Sequence, residues 1–410
     1  MRILVVTASY GQPDSPASNH ITDRVQCLRE YPAISLSVIT DRQPCTPQSI
    51  SVTAVGGKPR VGRGLIRHVP PAVREALRGC RDRLSVLTHG APTDRFGNWD
   101  LIPVYVAAIT DALTQDTYDL VYSTGGSAVV HIAVASVLQE IKVPWIAEIQ
   151  DPLLFDGIDN YDPSLRDLEY LSRGEACLAA ADVLVCLTES CKTRYRNHLG
   201  LPQVYSLYPG SGISPIPAFP DSKVPGKTVI YHAGTLAGDR NLDVLIKAVQ
   251  GAEDQVVICL AGYVSEPIRQ RISALPYIRC LGIVSRDVVA SQIAGSDVCV
   301  VVQNQNPVSQ YTIPSKFYDY TALSAPTLFL GYKNDEAHRN SAQYGFYYCD
   351  QADPEWVSAC LRQVIRDHRM SMLRVPKDPE IRAATSTFVD ICRKTLLCGG
   401  EPYGPTATSL

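Results

Sequence analysis

Apolar runs of strand length alternate with stretches of helical period along the first half of the chain. The strand-like runs cover residues 2–8, 35–40, 120–123, 145–149 and 183–188, and the helical patterns include residues 127–142 and 165–180. Strands that are apolar throughout are typical of a sheet buried on both faces, and helices between them indicate parallel pairing. The first half is therefore predicted to form a parallel sheet covered by helices.

The second half repeats this alternation. Its strand-like runs cover residues 228–233, 256–262, 278–281, 298–303 and 327–330, and its helical patterns cover residues 242–250, 266–275, 286–294 and 315–323. Residues 208–226 contain five prolines and no periodic apolar pattern, which is typical of a linker. We therefore predict an α/β protein with two Rossmann-like, doubly wound parallel-sheet domains, at residues 1–207 and 227–379, joined by the linker at 208–226.

The composition agrees with a multidomain globular protein. The chain has 410 residues, of which 45% are hydrophobic and 19% charged, and its formal net charge of −3 gives no reason to expect nucleic-acid binding. The 13 cysteines are scattered through apolar runs without a Cys-x-x-Cys pair, as in proteins of a reducing compartment. Because no apolar run approaches the roughly 20 residues that span a bilayer, we expect a cytoplasmic protein.

Two segments stand outside the alternation. Residues 58–83 carry eight basic and two acidic residues, with apolar residues at helical spacing. They are either a solvated surface helix or a site for an anionic or lipid-linked acceptor, which would allow peripheral contact with the inner membrane face. Residues 399–410 are rich in Gly, Pro, Ser and Thr and are expected to be disordered.

The first candidate binding segment follows the strand at 228–233. Gly234 and Gly238 allow the backbone to approach a ligand closely, and the helix that follows presents free N–H groups suited to a phosphate. Arg240 adds a charge-assisted contact to that phosphate. Together with Thr235, these residues predict a site for a diphosphate.

A second segment, at residues 312–320, follows the strand at 298–303. Pro314 and Ser315 are typical first residues of a helix, whose N–H groups would lie at the same edge of the sheet. Lys316 in the first turn opposes the helix dipole, which makes sense where an anion lies between them. Asp319, one turn further, is placed to accept hydrogen bonds from the hydroxyls of a ribose.

These segments resemble the retaining nucleotide-sugar glycosyltransferases of GT-B fold, in the large group that includes mannosyl- and N-acetylglucosaminyltransferases of surface polysaccharides. The matching pieces are residues 234–244, 259–262, 281–285 and 313–319, followed by 325–327. The resemblance implies that Arg240 contacts the donor diphosphate and Asp319 the ribose. It also implies that the base lies beside Gly262, Ile283 and Val284, that two domains face a cleft, and that a helix at 380–398 packs back toward the N-terminal domain.

The N-terminal half resembles the same group more loosely. Residues 2–8 and the loop with Gly11 resemble its first strand and acceptor-side loop, residues 144–151 resemble the strand that ends in its catalytic region, and residues 181–190 resemble the strand before the linker. Gly125 and Gly126 follow another strand and are candidates for a backbone approach to the sugar or acceptor.

The chain departs from the group at two positions. Many relatives carry two glutamates in the donor loop, where this chain has Tyr311 and Asp319, so that Tyr311 takes the place of the residue that contacts the sugar. Many relatives also place a histidine where this chain has Gln150. The catalytic side chain is therefore sought among three alternatives, which are Asp151, Glu148 and His20.

The sequence thus predicts transfer of a sugar from a nucleotide-diphosphate donor, with UDP-sugars slightly favoured, to a glycan, lipid-linked or small-molecule acceptor. We expect no cofactor and no bound metal, because no carboxylate-x-carboxylate pair precedes a strand end. Retention of anomeric configuration is implied by the resemblance alone. A nucleotide-sugar epimerase or hydrolase of the same fold, and a catalytically silent binding or activator subunit, remain as alternatives.

Overall fold

The computed structural model describes residues 1–12, 16–44, 50–55, 99–153, 165–219, 223–370, 372–374 and 380–398. The predicted basic helix at 58–83 and the predicted disordered tail at 399–410 lie outside the described residues. Among the described residues, no helix has the length and apolar character needed to cross a membrane.

Seven parallel strands form the N-terminal sheet in the order β3-β2-β1-β4-β5-β6-β7. The strands are β1 (Arg2–Thr7), β2 (Ser35–Thr40), β3 (Ser51–Ala54), β4 (Leu120–Gly125), β5 (Trp145–Ile149), β6 (Val183–Cys186) and β7 (Val204–Ser206). The helices are α1 (Pro16–Arg29), α2 (Ile102–Gln115), α3 (Ala128–Leu138), α4 (Leu165–Cys177) and α5 (Glu189–Leu199), with single 3-10 turns at Trp99–Leu101 and Leu178–Ala180.

Six parallel strands form the C-terminal sheet in the order β10-β9-β8-β11-β12-β13. The strands are β8 (Thr228–Ala233), β9 (Val256–Ala261), β10 (Ile278–Gly282), β11 (Val298–Val302), β12 (Thr327–Gly331) and β13 (Tyr347–Asp350). The helices are α6 (Asp243–Ala248), α7 (Glu266–Ile272), α8 (Arg286–Gly295), α9 (Ser315–Ala322), α10 (Asp335–Tyr344) and α11 (Pro354–Arg369), with a 3-10 turn at Pro307–Tyr311.

The two sheets confirm the predicted fold class. Each is covered by helices on both faces, and the central strands are apolar because both faces are buried: the residues from Ile3 to Val6 of β1 are at most 1% exposed. Three strands were not predicted from the sequence; they are β3, β7 and β13, which lie at sheet edges and have three or four residues. An edge strand this short leaves too little periodic pattern to identify it.

The last helix, α12 (Ile381–Cys398), follows the C-terminal domain in sequence but packs on the N-terminal sheet. Its Phe388 and Cys392 are completely buried in the cluster that contains Ile3 and Val5 of β1. The Phe388 ring lies 4.6 Å from the ring of Tyr122 on β4, measured between centroids. The chain therefore crosses between the domains twice.

A buried carboxylate also joins the domains on the side of the linker. Glu336 of α10 is 4% exposed and accepts hydrogen bonds from the backbone N–H groups of Glu189 (2.8 Å) and Ser190 (2.7 Å) in the first turn of α5. It also accepts from the hydroxyls of Ser190 and Tyr208. A negative charge at a helix N-terminus is stabilising, so Glu336 caps a helix of the opposite domain.

Candidate active site

A cleft of about 330 Å³ lies between the domains, beyond the carboxyl ends of strands from both sheets. In each sheet the strand order reverses between the first and fourth strands, β1 and β4 or β8 and β11, and loops diverge there to leave a crevice. Gly126 and Asp151 line the cleft from the N-terminal domain, and Arg240, Thr312 and Pro314 line it from the C-terminal domain. The topology thus brings one predicted catalytic residue and one predicted phosphate contact into the same space.

The loop after β8 approaches its neighbours so closely that side chains are excluded. Gly234 has a φ of 147°, and a Cβ atom there would overlap Nζ of Lys316 and lie 2.8 Å from its Cε. Gly262, at a φ of 113°, lies against Gly234, and a Cβ on it would overlap the Gly234 carbonyl. Both positions require glycine, because of the positive φ and because of the space.

Lys316 is 9% exposed, and its ammonium group has no hydrogen-bond partner among the residues that the structure describes. It lies in the first turn of α9, which is fixed to the end of β8 by a hydrogen bond from the Ala233 backbone N–H to the Tyr320 hydroxyl (2.8 Å). Burial, reinforced by the positive charge of Arg240 and opposed by Asp319, lowers the pKa of Lys316 to about 7. An unpartnered buried ammonium is unfavourable, so this group is suited to an anion that supplies the missing partner.

His232 faces the same space from the end of β8. Its Nδ1 lies 3.0 Å from the Val300 carbonyl, which only accepts, so Nδ1 carries the proton. Nε2 is then an acceptor, and it has no partner in the described part of the chain. Burial and then the charge of Lys316 hold the pKa of His232 well below its ordinary value, and the ring is neutral at neutral pH. His232 was not predicted as a site residue, because a histidine within a strand is usually a core residue.

Asp151 is the predicted catalytic residue that reaches the cleft. Its side chain is open to the cleft, and its Oδ2 lies 3.5 Å from where a Cβ on Gly126 would be. The surrounding protein removes water from the carboxylate and so raises the pKa of Asp151, whereas the positive charge of Arg240 lowers it. A carboxylate and a guanidinium thus influence each other across the cleft.

Glu148 and His20 are placed differently. Glu148 is completely buried, accepts hydrogen bonds from Arg24 Nη1 (2.7 Å) and Thr124 Oγ1 (2.9 Å), and lies 3.2 Å from His20 Nε2. Burial by itself would raise the pKa of Glu148, but Arg24 and His20 outweigh it and lower the pKa to about 2. Neither Glu148 nor His20 lines the cleft. Their geometry is that of a buried ion pair joining α1 to β5.

Asp319 is half-buried on α9 and already has protein partners. Ser211 of the linker donates a hydrogen bond to its Oδ1 (2.5 Å), and Nη2 of Arg286 lies 3.6 Å from the same oxygen. Burial raises the pKa of Asp319, while Ser211 and Arg286 oppose the shift. Arg286, at the start of α8, was not selected from the sequence, because its partners are distant along the chain.

The remaining predicted residues divide into two groups. Thr235, Ser315 and Ile283 are exposed near the end of the C-terminal sheet, Ile283 being 73% exposed, whereas Val284 packs partly on the core. Gly11, Gly125 and Tyr311 do not line the cleft. A Cβ on Gly11 would lie 2.6 Å from the Cβ of Pro44, and Gly125, at a φ of 145°, is buried at the end of β4.

Tyr311 joins the donor loop to the N-terminal domain. Its carbonyl accepts a hydrogen bond from Thr188 Oγ1 (2.6 Å), and Arg194 of α5 lies over its ring at 5.7 Å from the centroid. The backbone just beyond it, at Thr312, lines the cleft. The tyrosine side chain therefore packs at the domain interface. Its position in the sequence is the one at which the resemblance implies a carboxylate that contacts the sugar in many relatives.

Three amides that were not predicted from the sequence shape the rim of the cleft. Gln303 donates to the carbonyls of Ser309 (3.1 Å) and Thr312 (2.7 Å), and Asn334 donates to the same two carbonyls at 2.7 and 3.0 Å. Asn306 donates to Asp239 (3.0 Å) and so ties this loop to the loop of Gly234. The loop that leads into α9 is held in place by buried amides, which carry no recognisable motif.

No three His, Cys, Asp or Glu side chains come together as a potential metal site within the part of the chain that the structure describes. Arg240 and the N-terminus of α9 at Pro314 line the C-terminal side of the cleft. Lys316, in the first turn of that helix, is buried beside the cleft and near enough to Arg240 for the guanidinium charge to lower the Lys316 pKa. The arrangement is suited to a ligand with concentrated negative charge.

The sequence matches no protein-family model and no curated protein. The fold, in contrast, is similar to several solved structures over almost the whole chain. One is HepE of Anabaena in complex with UDP and glucose, at 14% identity and a TM-score of 0.62, covering 96% of this chain and 97% of HepE. Another is sucrose-phosphate synthase of Thermosynechococcus elongatus, at 12% identity and a TM-score of 0.68, covering 97% and 100%.

A third similar structure is UDP-GlcNAc 2-epimerase of Neisseria meningitidis bound to UDP-GlcNAc, at 13% identity and a TM-score of 0.54, covering 96% of this chain and 100% of the epimerase. At these identities the similarity establishes the fold. The chain has the two-domain GT-B fold, which transferases and an epimerase share.

Proposed function

We propose that this protein is a glycosyltransferase that takes a sugar from a nucleotide-diphosphate donor bound in the interdomain cleft. The observation that carries the proposal is the buried ammonium of Lys316 beside Gly234, which has no hydrogen-bond partner among the described residues, with the cleft-lining Arg240 near enough to lower its pKa. A buried cation without a partner is unfavourable unless a ligand completes it, and a diphosphate offers both charge and acceptors. The GT-B fold makes a nucleotide sugar the leading source of that diphosphate.

In the proposed complex the diphosphate lies between Arg240 and Lys316, against the backbone of Gly234 and Thr235 and the N-terminus of α9 at Ser315. The ribose lies at Asp319, and the base lies beside Gly262, Ile283 and Val284. Lys316 and Arg240 stabilise the charge that develops on the leaving diphosphate, which is electrostatic catalysis by preorganised groups. These charges would allow transfer without a metal, and activity that persists in excess EDTA would support that part of the proposal.

Asp151 is the proposed catalytic carboxylate, because it is the candidate that is open to the cleft. A group that accepts a proton or stabilises positive charge must reach the reacting atoms, and Glu148 is enclosed by Arg24 and Thr124. We further propose that the reaction retains the anomeric configuration, as the resemblance implies. NMR analysis of the product linkage distinguishes retention from inversion.

UDP-sugars are the proposed donors, since HepE was solved with UDP and glucose and the epimerase with UDP-GlcNAc. Thermal-shift measurements with UDP, GDP and their sugars test this choice, because a ligand at about 100 times its dissociation constant stabilises by about 2.7 kcal/mol. Stabilisation by none of these nucleotides would contradict the proposal. The acceptor is a glycan, a lipid-linked sugar or a small molecule.

Asp151→Asn separates chemistry from binding. We expect unchanged UDP binding and loss of transfer by about two orders of magnitude or more, the usual contribution of a general acid or base. Asp111→Asn, an exposed carboxylate on α2, is the matched control and should keep full activity. Full transfer by Asp151→Asn would remove this residue from catalysis.

An epimerase or hydrolase of nucleotide sugars is a second candidate, because a UDP-GlcNAc 2-epimerase of Methanocaldococcus jannaschii is also similar, at a TM-score of 0.55. Incubation with donor alone decides between them: an epimerase or hydrolase releases epimerised donor or free sugar without an acceptor. A silent binding subunit, favoured by Tyr311 and Gln150, would bind the donor and turn over none of it.

We also propose a cytoplasmic location, with peripheral membrane contact through residues 58–83 if the acceptor is lipid-linked. Flotation with vesicles containing anionic lipid tests the contact. A protein that stays with the soluble fraction at low salt would contradict it.

A further inference from the structure

One ion pair crosses from the N-terminal domain directly to the proposed ribose site. Arg286, at the start of α8, donates from Nη1 to Asp23 Oδ1 (2.8 Å) and from Nη2 to Asp23 Oδ2 (2.6 Å). Asp23 lies on α1 and its side chain is 5% exposed. Paired parallel bonds of this kind fix the guanidinium in orientation as well as in position.

The same guanidinium reaches Asp319. Its Nη2 lies 3.6 Å from Asp319 Oδ1 and donates to the hydroxyl of Ser211 (3.2 Å), which in turn donates to Asp319 Oδ1 (2.5 Å). The backbone N–H of Gly212 donates to Asp23 Oδ2 (2.8 Å) and closes the network on the linker. The guanidinium of Arg286 on α8 is thus surrounded by Asp23 of α1, Ser211 of the linker and Asp319 of α9.

The network leaves one side of the Asp319 carboxylate available. Its protein partners use Oδ1, and no hydrogen bond from the described residues reaches Oδ2. The side chain is 27% exposed, so a ligand can reach it. A carboxylate fixed at one oxygen and open at the other is suited to accept hydrogen bonds from a ribose hydroxyl.

Asp23 acts on this carboxylate through the orientation of Arg286. Burial favours the protonated form of Asp319, and the positive charge of Arg286 favours the ionised form. Arg286 is held in place by its paired bonds to Asp23 and by the linker hydroxyl. The negative charge of Asp23 itself raises the pKa of Asp319, so its loss would not by itself favour the protonated form. The consequence is geometric: without Asp23 the guanidinium loses the contact that fixes its plane, and Asp319 loses the partner that orients its carboxylate.

We propose that Asp23 is a positioning residue for the donor ribose, holding Asp319 in its binding orientation through Arg286 although it belongs to the opposite domain. The inference rests on the proposed function, because it takes the ribose to lie at Asp319. Recognition of the ribose then depends on the docked N-terminal domain. The affinity of a nucleotide that contacts Asp319 therefore depends on whether the two domains are joined at this point.

The test compares UDP with 2′-deoxy-UDP by calorimetry on the full-length protein. The parent should bind UDP at least about tenfold more tightly, since a hydrogen bond to a charged group contributes about 1.5 to 3 kcal/mol. In Asp23→Asn this ratio should fall to within about threefold, mainly through weaker UDP binding. Glu30 lies just beyond the end of α1 and forms an exposed ion pair with Arg382. Glu30→Gln breaks that pair, serves as the matched control and should keep the parent ratio.

The ratio separates positioning from a purely structural role. An interface contact that only holds the domains together would weaken UDP and 2′-deoxy-UDP alike and leave their ratio unchanged, which would overturn the inference. Because Asp23→Asn removes a buried charge partner, Arg286→Lys serves as a second variant: it keeps the charge but cannot form paired bonds, and its ratio should also fall. An unchanged ratio in a folded form of either variant overturns the inference.

The outcome also separates this inference from the proposed function. A parent that binds neither nucleotide would overturn both the donor site and the role of Asp23. A parent that discriminates, with Asp23→Asn discriminating equally well, would leave the donor site in place and remove only Asp23. In the expected case, the double variant Asp23→Asn with Asp319→Asn should discriminate no less than Asp319→Asn alone, because two changes to one contact do not add.

Discussion

The ammonium of Lys316 lies where a side chain on Gly234 would otherwise be. A Cβ on Gly234 would overlap Nζ and lie 2.8 Å from Cε of Lys316, so the glycine provides the space that the cation uses. The two residues come from the connections that follow two neighbouring strands at the topological switch point of the C-terminal sheet, the loop after β8 and the helix after β11. Their contact brings two separate sequence signals together at the proposed anion site.

Gly234→Ala should therefore disturb nucleotide binding through Lys316. The new methyl displaces Nζ, and we expect UDP binding to weaken by about 1.5 to 3 kcal/mol, the contribution of hydrogen bonds to charged groups. Gly251→Ala is the matched control, since Gly251 also has a positive φ, of 82°, but a Cβ there meets no atom within 4 Å. Calorimetry measures both variants, and equal UDP affinity in the two would show that Lys316 does not bind the diphosphate.

UDP affinity should fall as the pH rises above neutrality. The pKa of Lys316 in the free protein is about 7, so at higher pH its neutral amine must first take up a proton to bind the diphosphate. Between pH 7 and pH 9 we expect UDP affinity to fall by about tenfold to hundredfold. Each pH unit above the pKa adds up to about 1.4 kcal/mol to the free energy needed to protonate the amine. Calorimetry in buffers of different ionisation enthalpy should detect the proton uptake.

Lys316→Arg provides the control for that pH dependence. Arginine stays charged across this range, so its UDP affinity should change little between pH 7 and pH 9. Lys316→Met, without a charge, should bind weakly at both. The same pH dependence in Lys316→Arg as in the parent would assign it to another group.

Glu148→Gln should destabilise the protein rather than affect the chemistry directly. It leaves the buried guanidinium of Arg24 without its counter-charge, and breaking a buried pair costs about 3 to 5 kcal/mol. Because the pKa of Glu148 is lowered to about 2 in the folded protein, the stability it contributes is present above about pH 4.5 and is lost as the pH falls toward 2. Urea unfolding at pH 7 and in acid measures both effects.

The exposed Glu140 at the end of α3 is the matched control, and Glu140→Gln should change stability by less than about 0.5 kcal/mol. If Glu148→Gln were as stable as the parent but inactive, Glu148 would return as a catalytic candidate.

Glu336→Gln should loosen the interface between the domains. The carboxylate caps α5 of the opposite domain through the backbone N–H groups of Glu189 and Ser190. Loss of its charge should weaken the contact between the domains by about 1.5 to 3 kcal/mol. Glu355→Gln changes a carboxylate in the first turn of α11, on the surface of the C-terminal domain, and controls for the general effect of charge at a helix N-terminus. Faster proteolysis within residues 208–219 in Glu336→Gln alone would report the opening, and identical proteolysis of both variants would contradict it.

The sequence by itself determined the class of the fold and the position of the donor segments. Runs such as 3–6 and 298–302 are apolar throughout, and this composition is typical of strands buried on both faces, as in a parallel sheet between helices. Gly234 and the helix start at Pro314 were found for a similar local reason, because φ preferences and helix capping act between neighbours along the chain.

Only the tertiary structure decided which of the chemically suitable residues meet. Glu148 and Asp151 are three residues apart, yet Glu148 points into the layer beneath α1, where Arg24 neutralises it, and Asp151 lies beyond the strand end in the cleft. Asp23 and Arg286 are 263 residues apart and form one ion pair. Local pattern specifies which face of an element is buried, but the identity of the partner depends on how the elements of both domains pack, and that is set by the whole chain.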